Sequence, residues 1–307
     1  MMRPMMLSEL LGPLQAELLG DDLQISGVTT DSRQIEHGDL FVALQGERFD
    51  GHDFLDGAIS GGASAALVNR VSEASLSQLK VEDTQRALGL LGGFNRSMYE
   101  GPLIAITGSS GKTSVKNMLY SVFSQEGQTL ATAGNFNNEI GVPLTLLGLA
   151  PGVQYAVVEM GAGKAGDITW LCELGRPTVS VLLTVMPAHL ETFGTVEDIA
   201  AAKGEIFDGL GAGDHAVINA DLPWADSWRE RAGAATVVDF ASKRPAAITA
   251  GDVQLLGLEG IRFTLKTPIG SVTVRLKLPG EHNVINAMAS TAVALACGLD
   301  LSQIQLG

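Results

Sequence analysis

Residues 103–106 form an unbroken apolar run, Leu103-Ile104-Ala105-Ile106, that gives way to Thr107-Gly108-Ser109-Ser110-Gly111-Lys112-Thr113. Apolar residues then return at helical spacing as Val115, Met118, Leu119 and Val122. The pattern predicts a buried strand, a glycine-rich turn and a helix over 114–123. Apolar runs at 155–158, 179–184, 216–218 and 236–238 predict further strands with helical stretches between them, and 129–133 predicts a short one. Strands alternating with helices imply a mainly parallel, helix-covered sheet. Between 252 and 278 the period changes to two (Val253, Leu255; Ile261, Phe263, Leu265; Val272, Val274, Leu276, Leu278), which predicts an antiparallel meander joined to that sheet. A helix over 282–296 follows, and residues 298–307 begin another element.

Upstream of a break at Glu100-Gly101-Pro102, strands at 40–44 and 65–68 mixed with helices predict a small α/β unit. The expected architecture is therefore α/β in two domains, residues 1–100 and 101–307. No internal repeat is apparent.

In parallel sheets ligands sit at the carboxyl ends of strands. Three segments meet there: the glycine-rich turn, Glu159, and the stretch 184–193. The turn reads as a phosphate cradle at a helix N-terminus. Gly108 and Gly111 let the backbone close on a phosphate, Lys112 supplies a cation, and Thr113 offers a hydroxyl to Mg²⁺. The candidate ATP-binding residues are Gly108, Ser109, Ser110, Gly111, Lys112, Thr113 and Ser114. The glycine that a full Walker pattern places five positions before Gly111 is Ile106 here, so the loop is shortened.

Glu159 ends the strand at 155–158, where its carboxylate suits Mg²⁺ beside Thr113, a solvated strand-end acid being the alternative. His189 follows the strand at 179–184, as a ligand or as an ordinary surface or structural histidine. Thr195 and Asp198 form a capping box for a helix carrying Ile199, Ile206 and Phe207 inward. Lys203 lies four after Ile199 and four before Phe207, on the same face. Desolvation there would lower its pKa and leave a neutral amine able to form a carbamate with carbon dioxide, a potential Mg²⁺ ligand. The alternative is a lysine running along the helix to solvent. Asn135, Asn137 and Asn138 suit either polar substrate recognition or plain turns, and His282 and Asn283 carry the same ambiguity.

Composition narrows the class. The 307 residues are 46% hydrophobic, enough for two cores. A net charge of −14 and a pI near 4.7 argue against a nucleic-acid partner, since no basic stripe is present. Two separated cysteines, Cys172 and Cys297, provide neither a disulfide framework nor metal spacing, which fits a reducing cytoplasm. Residues 1–9 contain Arg3 but are broken by Glu9 before a signal core forms, and no apolar stretch approaches a membrane span. A cytoplasmic monomer is expected.

Taken in order, these segments resemble the Mur ligase family of ATP-dependent amide-forming enzymes of peptidoglycan synthesis. Its phosphate loop has the same shortened form. The resemblance implies that Glu159 is the family's Mg²⁺ glutamate, and that His189 and Lys203 are the histidine and carbamylated lysine holding a second Mg²⁺. It implies that the His282-Asn283-Val284-Ile285-Asn286-Ala287 segment contacts adenine. Thr30-Asp31-Ser32-Arg33, with Gly38-Asp39-Leu40-Phe41 and Asp50-Gly51-His52 downstream, looks like the family's UDP-sugar-binding part. The stretches 134–143 and 202–207 resemble members that add D-alanyl-D-alanine to UDP-N-acetylmuramoyl-tripeptide, with Asn135, Asn137 and Asn138 among the substrate contacts. Such members usually carry asparagine at the position of Gly163. The Asp-x-Tyr-Asn-Ala-Asn-Pro element of the family's third domain is not found, so a chain without the C-terminal domain is expected, with little ligase activity by itself. Other Mur-type or folate-extending ligases, and a nucleotide and UDP-muropeptide binding module, are the alternatives.

Overall fold

A computed structural model describes residues 2–46, 49–187 and 190–307. The chain divides into two compact units, Met1–Glu100 with Glu139–Gly152, and Gly101–Asn138 with Val153–Gly307.

In the first unit a five-stranded sheet runs in the order Glu17–Leu19, Ser77–Lys80, Ala65–Val68, Asp39–Val42, Gly27–Thr29. All its pairings are parallel except that of Glu17–Leu19. Its core gathers Leu7, Leu10, Leu40, Val42, Leu67, Leu79 and Leu88. The segment Glu139–Gly152 belongs here, although the sequence expectation placed it with residues 101–307. Its helix Gly141–Leu147 buries Val142, Leu146 and Leu147 and packs on the helix Thr84–Ser97. Buried Asn95 fastens the pair, donating from Nδ2 to the carbonyls of Leu146 (2.8 Å), Leu147 (3.3 Å) and Leu149 (3.2 Å) at and just beyond the helix end.

In the second unit six strands, all parallel, run in the order Thr236–Phe240, His215–Asn219, Val179–Leu182, Leu103–Thr107, Tyr155–Glu159, Thr129–Ala131. After Leu103–Thr107 the chain places Thr129–Ala131 at one edge, returns with Tyr155–Glu159 to the position between them, then crosses to build outward on the other side. That switch of direction opens a crevice beyond the carboxyl end of Leu103–Thr107. The predicted helix is present and starts two residues earlier than its apolar spacing indicated, at Lys112, running to Glu126. Helix His282–Ala296 packs against it, with Val115, Leu119, Met288 and Ala292 in one core. The meander forms its own antiparallel sheet of Thr249–Leu255, Ile261–Thr267 and Gly270–Leu276. It is continuous with the parallel sheet through a bridge from Phe240 to Ile248. Among the described residues no helix is long and apolar enough to cross a membrane.

Candidate functional site

The glycine-rich loop of residues 107–113 lies at the switch point of the second unit's sheet. Gly111 precedes the helix at φ +89, a left-handed backbone that favours glycine, and a Cβ there would lie 2.7 Å from Asn286 Oδ1. The N–H groups of the helix's first turn have no acceptor within the helix and face the crevice. Ser109 and Ser110 are tied to the next strand end: Ser109 N–H donates to the Thr184 carbonyl and Ser110 N–H to Thr184 Oγ1, both at 2.9 Å. Thr184 thus braces the loop. Lys112 folds back over it, its Nζ donating to the Gly108 carbonyl at 2.7 Å, and burial lowers its pKa against the opposing pull of Glu159.

Glu159 ends its strand as expected but is buried rather than solvated, at 1% exposure. Its N–H donates to Thr132 Oγ1 at 2.9 Å, which fixes the strand end. Thr113 Oγ1 stands 3.5 Å from Oε2, at the limit of a hydrogen bond, while Oε1 is buried with no aligned hydrogen-bond donor among the described residues, the Lys116 ammonium lying 3.2 Å away. A buried carboxylate oxygen without a donor beside a hydroxyl suits a hard cation that takes oxygen ligands. Among the described residues no three His, Cys, Asp or Glu side chains cluster, so any metal here relies on Thr113, Glu159 and oxygens brought by a ligand.

Lys203 sits on the helix Val196–Gly204, started by the expected capping box of Thr195 and Asp198. It is 6% exposed and has neither acceptor nor counter-ion among the described residues, so it does not run out to solvent. Burial, then the charge of Lys112, pushes its pKa down to about 8 from 10.5. The sign of the resulting pH dependence follows. Below about pH 8 the folded chain bears the whole cost of a buried ammonium. As pH rises from there toward 10.5, the folded state has released a proton that the unfolded state still holds, so stability increases. In carbonate-free buffer, wild type is therefore expected to gain on Lys203→Met by on the order of 3 kcal/mol between neutral and strongly alkaline pH. Urea midpoints of both proteins across that range provide the check, and a constant gap would refute the shift.

His189, the other expected metal ligand, lies outside the described residues. Met186, three residues before it in the sequence, exchanges hydrogen bonds with Ser109.

The helix His282–Ala296 brings its N-terminus to the loop. His282 is exposed, whereas Asn283 is buried, its Nδ2 donating to the Pro279 carbonyl at 2.9 Å. Asn286 Nδ2 donates to Asn283 Oδ1 at 3.1 Å, with its own Oδ1 facing Gly111. This amide chain runs within the expected adenine segment and reaches the glycine-rich loop through Asn286, whose contact with Gly111 the sequence did not reveal.

The asparagine-rich turn lies against the segment after Glu159. Asn137 N–H donates to the Asn135 carbonyl at 2.8 Å, and the Asn137 carbonyl accepts from Gly161 N–H at 2.7 Å. Asn135 and Asn138 are exposed. A Cβ on Gly163 would have only Asp167 Oδ2 within 4 Å, at 3.6 Å, so the loop tolerates glycine or a side chain there.

Thr30, Asp31, Ser32 and Arg33 follow the strand Gly27–Thr29 in the first unit. Arg33 is no free cation. Its Nε and Nη2 donate to Asp31 at 2.8 and 2.7 Å, and this pairing holds the Asp31 carboxyl well below the usual carboxylate range. His52 is likewise structural: Nδ1 stands 2.6 Å from Asp50 Oδ1 and Nε2 accepts from Asn69 N–H at 3.3 Å.

A family model described as "Mur ligase middle domain" matches residues 106–294, and one described as "Mur ligase family, catalytic domain" matches residues 24–93. The chain belongs to the Mur ligase family. Among its relatives is the UDP-N-acetylmuramoyl-tripeptide--D-alanyl-D-alanine ligase of Escherichia coli, 46% identical over 98% of this chain. The crystal structure of MurF from Acinetobacter baumannii superposes with a TM-score of 0.94 at 38% identity over 99% of this chain. That of MurF ligase from Thermotoga maritima in complex with ADP superposes at 0.81 and 32% over 91%. The chain spans 67% of the E. coli relative and of the A. baumannii structure, and 65% of the T. maritima one.

Within this Mur ligase unit, sequence reasoning missed Lys116. Its Nζ lies 3.2 Å from Glu159 Oε1 and donates to the Gly134 carbonyl at 3.3 Å. A signal existed, because Lys116 follows Lys112 by one helical turn and so shares its face.

Proposed function

We propose that this chain supplies the ATP- and UDP-muropeptide-binding parts of a ligase that joins D-alanyl-D-alanine to UDP-N-acetylmuramoyl-tripeptide. The observation that carries the reading is the convergence of the shortened glycine-rich loop, buried Glu159 and buried Lys203, which has no partner among the described residues, at one switch point. Relatives bearing that activity name at 46% and 40% identity support it.

In the reaction the terminal carboxylate of the tripeptide attacks the γ-phosphorus of ATP, the bond to the β-phosphate oxygen breaks, and ADP leaves. The D-alanyl-D-alanine amine then attacks the acyl carbon, inorganic phosphate departs, and the amine loses a proton. Lys112 leaves Gly108 to neutralise the transferring phosphoryl group, while the first helical turn orients the phosphates. Thr113 and Glu159 would hold Mg²⁺, which supplies further charge neutralisation at the phosphates. Lys203, neutral for part of the time near pH 8, adds to carbon dioxide with release of a proton, and the resulting carbamate with His189 would complete a second Mg²⁺ site. Asn283 and Asn286 carry the base end. Thr30, Asp31, Ser32 and Arg33 contact the UDP-sugar, and Asn135, Asn137 and Asn138 the peptide. A cytoplasmic monomer without nucleic-acid or membrane partners completes the reading.

The expected result for the 307-residue chain is saturable binding of ATP and of UDP-muramoyl-tripeptide, with weak ADP release on adding D-alanyl-D-alanine. Calorimetry and a coupled ADP assay measure these. Absence of ATP binding would overturn the reading, and near-normal turnover would show that these residues suffice for ligation. An amine screen in the same assay separates this substrate from those of other ligases of the family.

A further inference from the structure

Lys116 is buried at 5% exposure, one turn beyond Lys112 on the helix Lys112–Glu126, which packs on the strand Tyr155–Glu159. A buried ammonium is costly unless paired, and its one ionic partner among the described residues is Glu159, itself buried. The two oxygens of that carboxylate face different groups. Oε1 meets the Lys116 charge at 3.2 Å without hydrogen-bond alignment, and Oε2 faces Thr113 Oγ1.

We propose that Lys116 is the resident counter-ion of Glu159 and makes capture of a divalent cation there conditional on bound nucleotide. The inference rests on the reading of Glu159 as a metal ligand. A hard divalent cation gives up bound water only where anionic oxygens replace it. Here the Glu159 carboxylate is already balanced by one ammonium, and a second, Lys112, stands close enough for Glu159 to influence it. A bare cation would place a third positive centre on one negative group. Nucleotide phosphates bring the missing negative charge, so the metal enters with them. Through Gly134, Lys116 also tethers the turn holding Asn135, Asn137 and Asn138, which makes it a positioning residue for carboxylate and turn together.

The test follows Mn²⁺ by the loss of its free-ion paramagnetic resonance signal, using the full 307-residue chain with and without ADP. Wild type is expected to take up Mn²⁺ saturably only with ADP. Lys116→Met is expected to bind Mn²⁺ alone roughly tenfold or more tightly than wild type, and Lys116→Arg, which keeps the charge, to behave as wild type. A folded Lys116→Met protein as indifferent to bare Mn²⁺ as wild type would overturn the proposal. Glu159→Gln separates the two layers: retained ADP-dependent Mn²⁺ uptake would mean that Glu159 is not the ligand and the site reading itself fails. Should Lys116→Met fold poorly, thermal melts decide. Adding Glu159→Gln to Lys116→Met is expected to restore stability, because removing both partners leaves no unpaired buried charge. A double variant no more stable than the single one would overturn the pairing.

Discussion

Trp228→Ala is expected to cost about 4 kcal/mol of stability and to dislodge Lys203 from its buried position. Trp228 is among the largest fully buried side chains of the protein. Its Nε1–H donates to the Ala200 carbonyl at 3.2 Å, in the middle of the helix Val196–Gly204 that carries Lys203. Gly204 lies so close to the indole that a Cβ there would stand 2.8 Å from Cδ1 and Nε1, so the ring fits only against a bare backbone. Arg231 adds a second fastening from the same direction, donating to the Ala201 carbonyl and pairing with Asp208. Alanine would remove the indole volume and its hydrogen bond to the Ala200 carbonyl, and the helix would settle into the space left. Urea unfolding measures the loss. The second consequence is local: with its helix loosened, the Lys203 amine is expected to regain solvent and titrate closer to 10.5, measurable by NMR of labelled lysine. A stable variant whose Lys203 still titrates near 8 would refute the coupling.

Lys112→Met is expected to weaken ATP binding by about a hundredfold, the worth of charge-assisted hydrogen bonds to phosphate in a partly dry site. The side chain is held in readiness on the carbonyl of Gly108, four residues before it, and burial lowers its pKa against the opposing pull of Glu159. Methionine keeps most of the volume and none of the charge, so the fold is expected to survive. Calorimetric titration with ATP gives the affinity, and circular dichroism gives the fold. Because the first-turn N–H groups and Thr113 remain, weak binding should persist. An affinity unchanged from wild type would show that the cradle is not a phosphate site.

Much of this site was readable along the chain because it is built from short-range pattern. The strand, turn and helix around Lys112 follow from an apolar run, two glycines and a return to helical spacing. That Lys203 shares a face with Ile199 and Phe207 follows from their spacing of four residues on either side. Both statements need only the local period, whereas the burial of Lys203 instead of a run to solvent was left open by that spacing. Glu159 was placed at its strand end by the same logic, but its near-complete burial depends on Thr132 and Lys116 arriving from other elements. Lys116 reads locally as one more helical lysine beside Val115. Likewise, nothing near Asn286 announces that its amide faces Gly111 across two packed helices. Arg33 looked available for a ligand, yet its guanidinium is bound by Asp31 two residues before it.

By itself the sequence determined the alternating strands and helices after residue 102, the period-two meander, and that a glycine-rich turn opens the helix at Lys112. Those properties depend on hydrophobic period and on residues within a turn of one another. Only the tertiary structure decided that Glu139–Gly152 packs with the first unit, that Thr184 braces the loop, and that Glu159 is balanced by Lys116. The reason is physical. A period shows which face of an element is apolar, but not which other face it meets. A buried charge finds its partner through strand order and helix crossing, which bring together residues as far apart as Lys116 and Glu159.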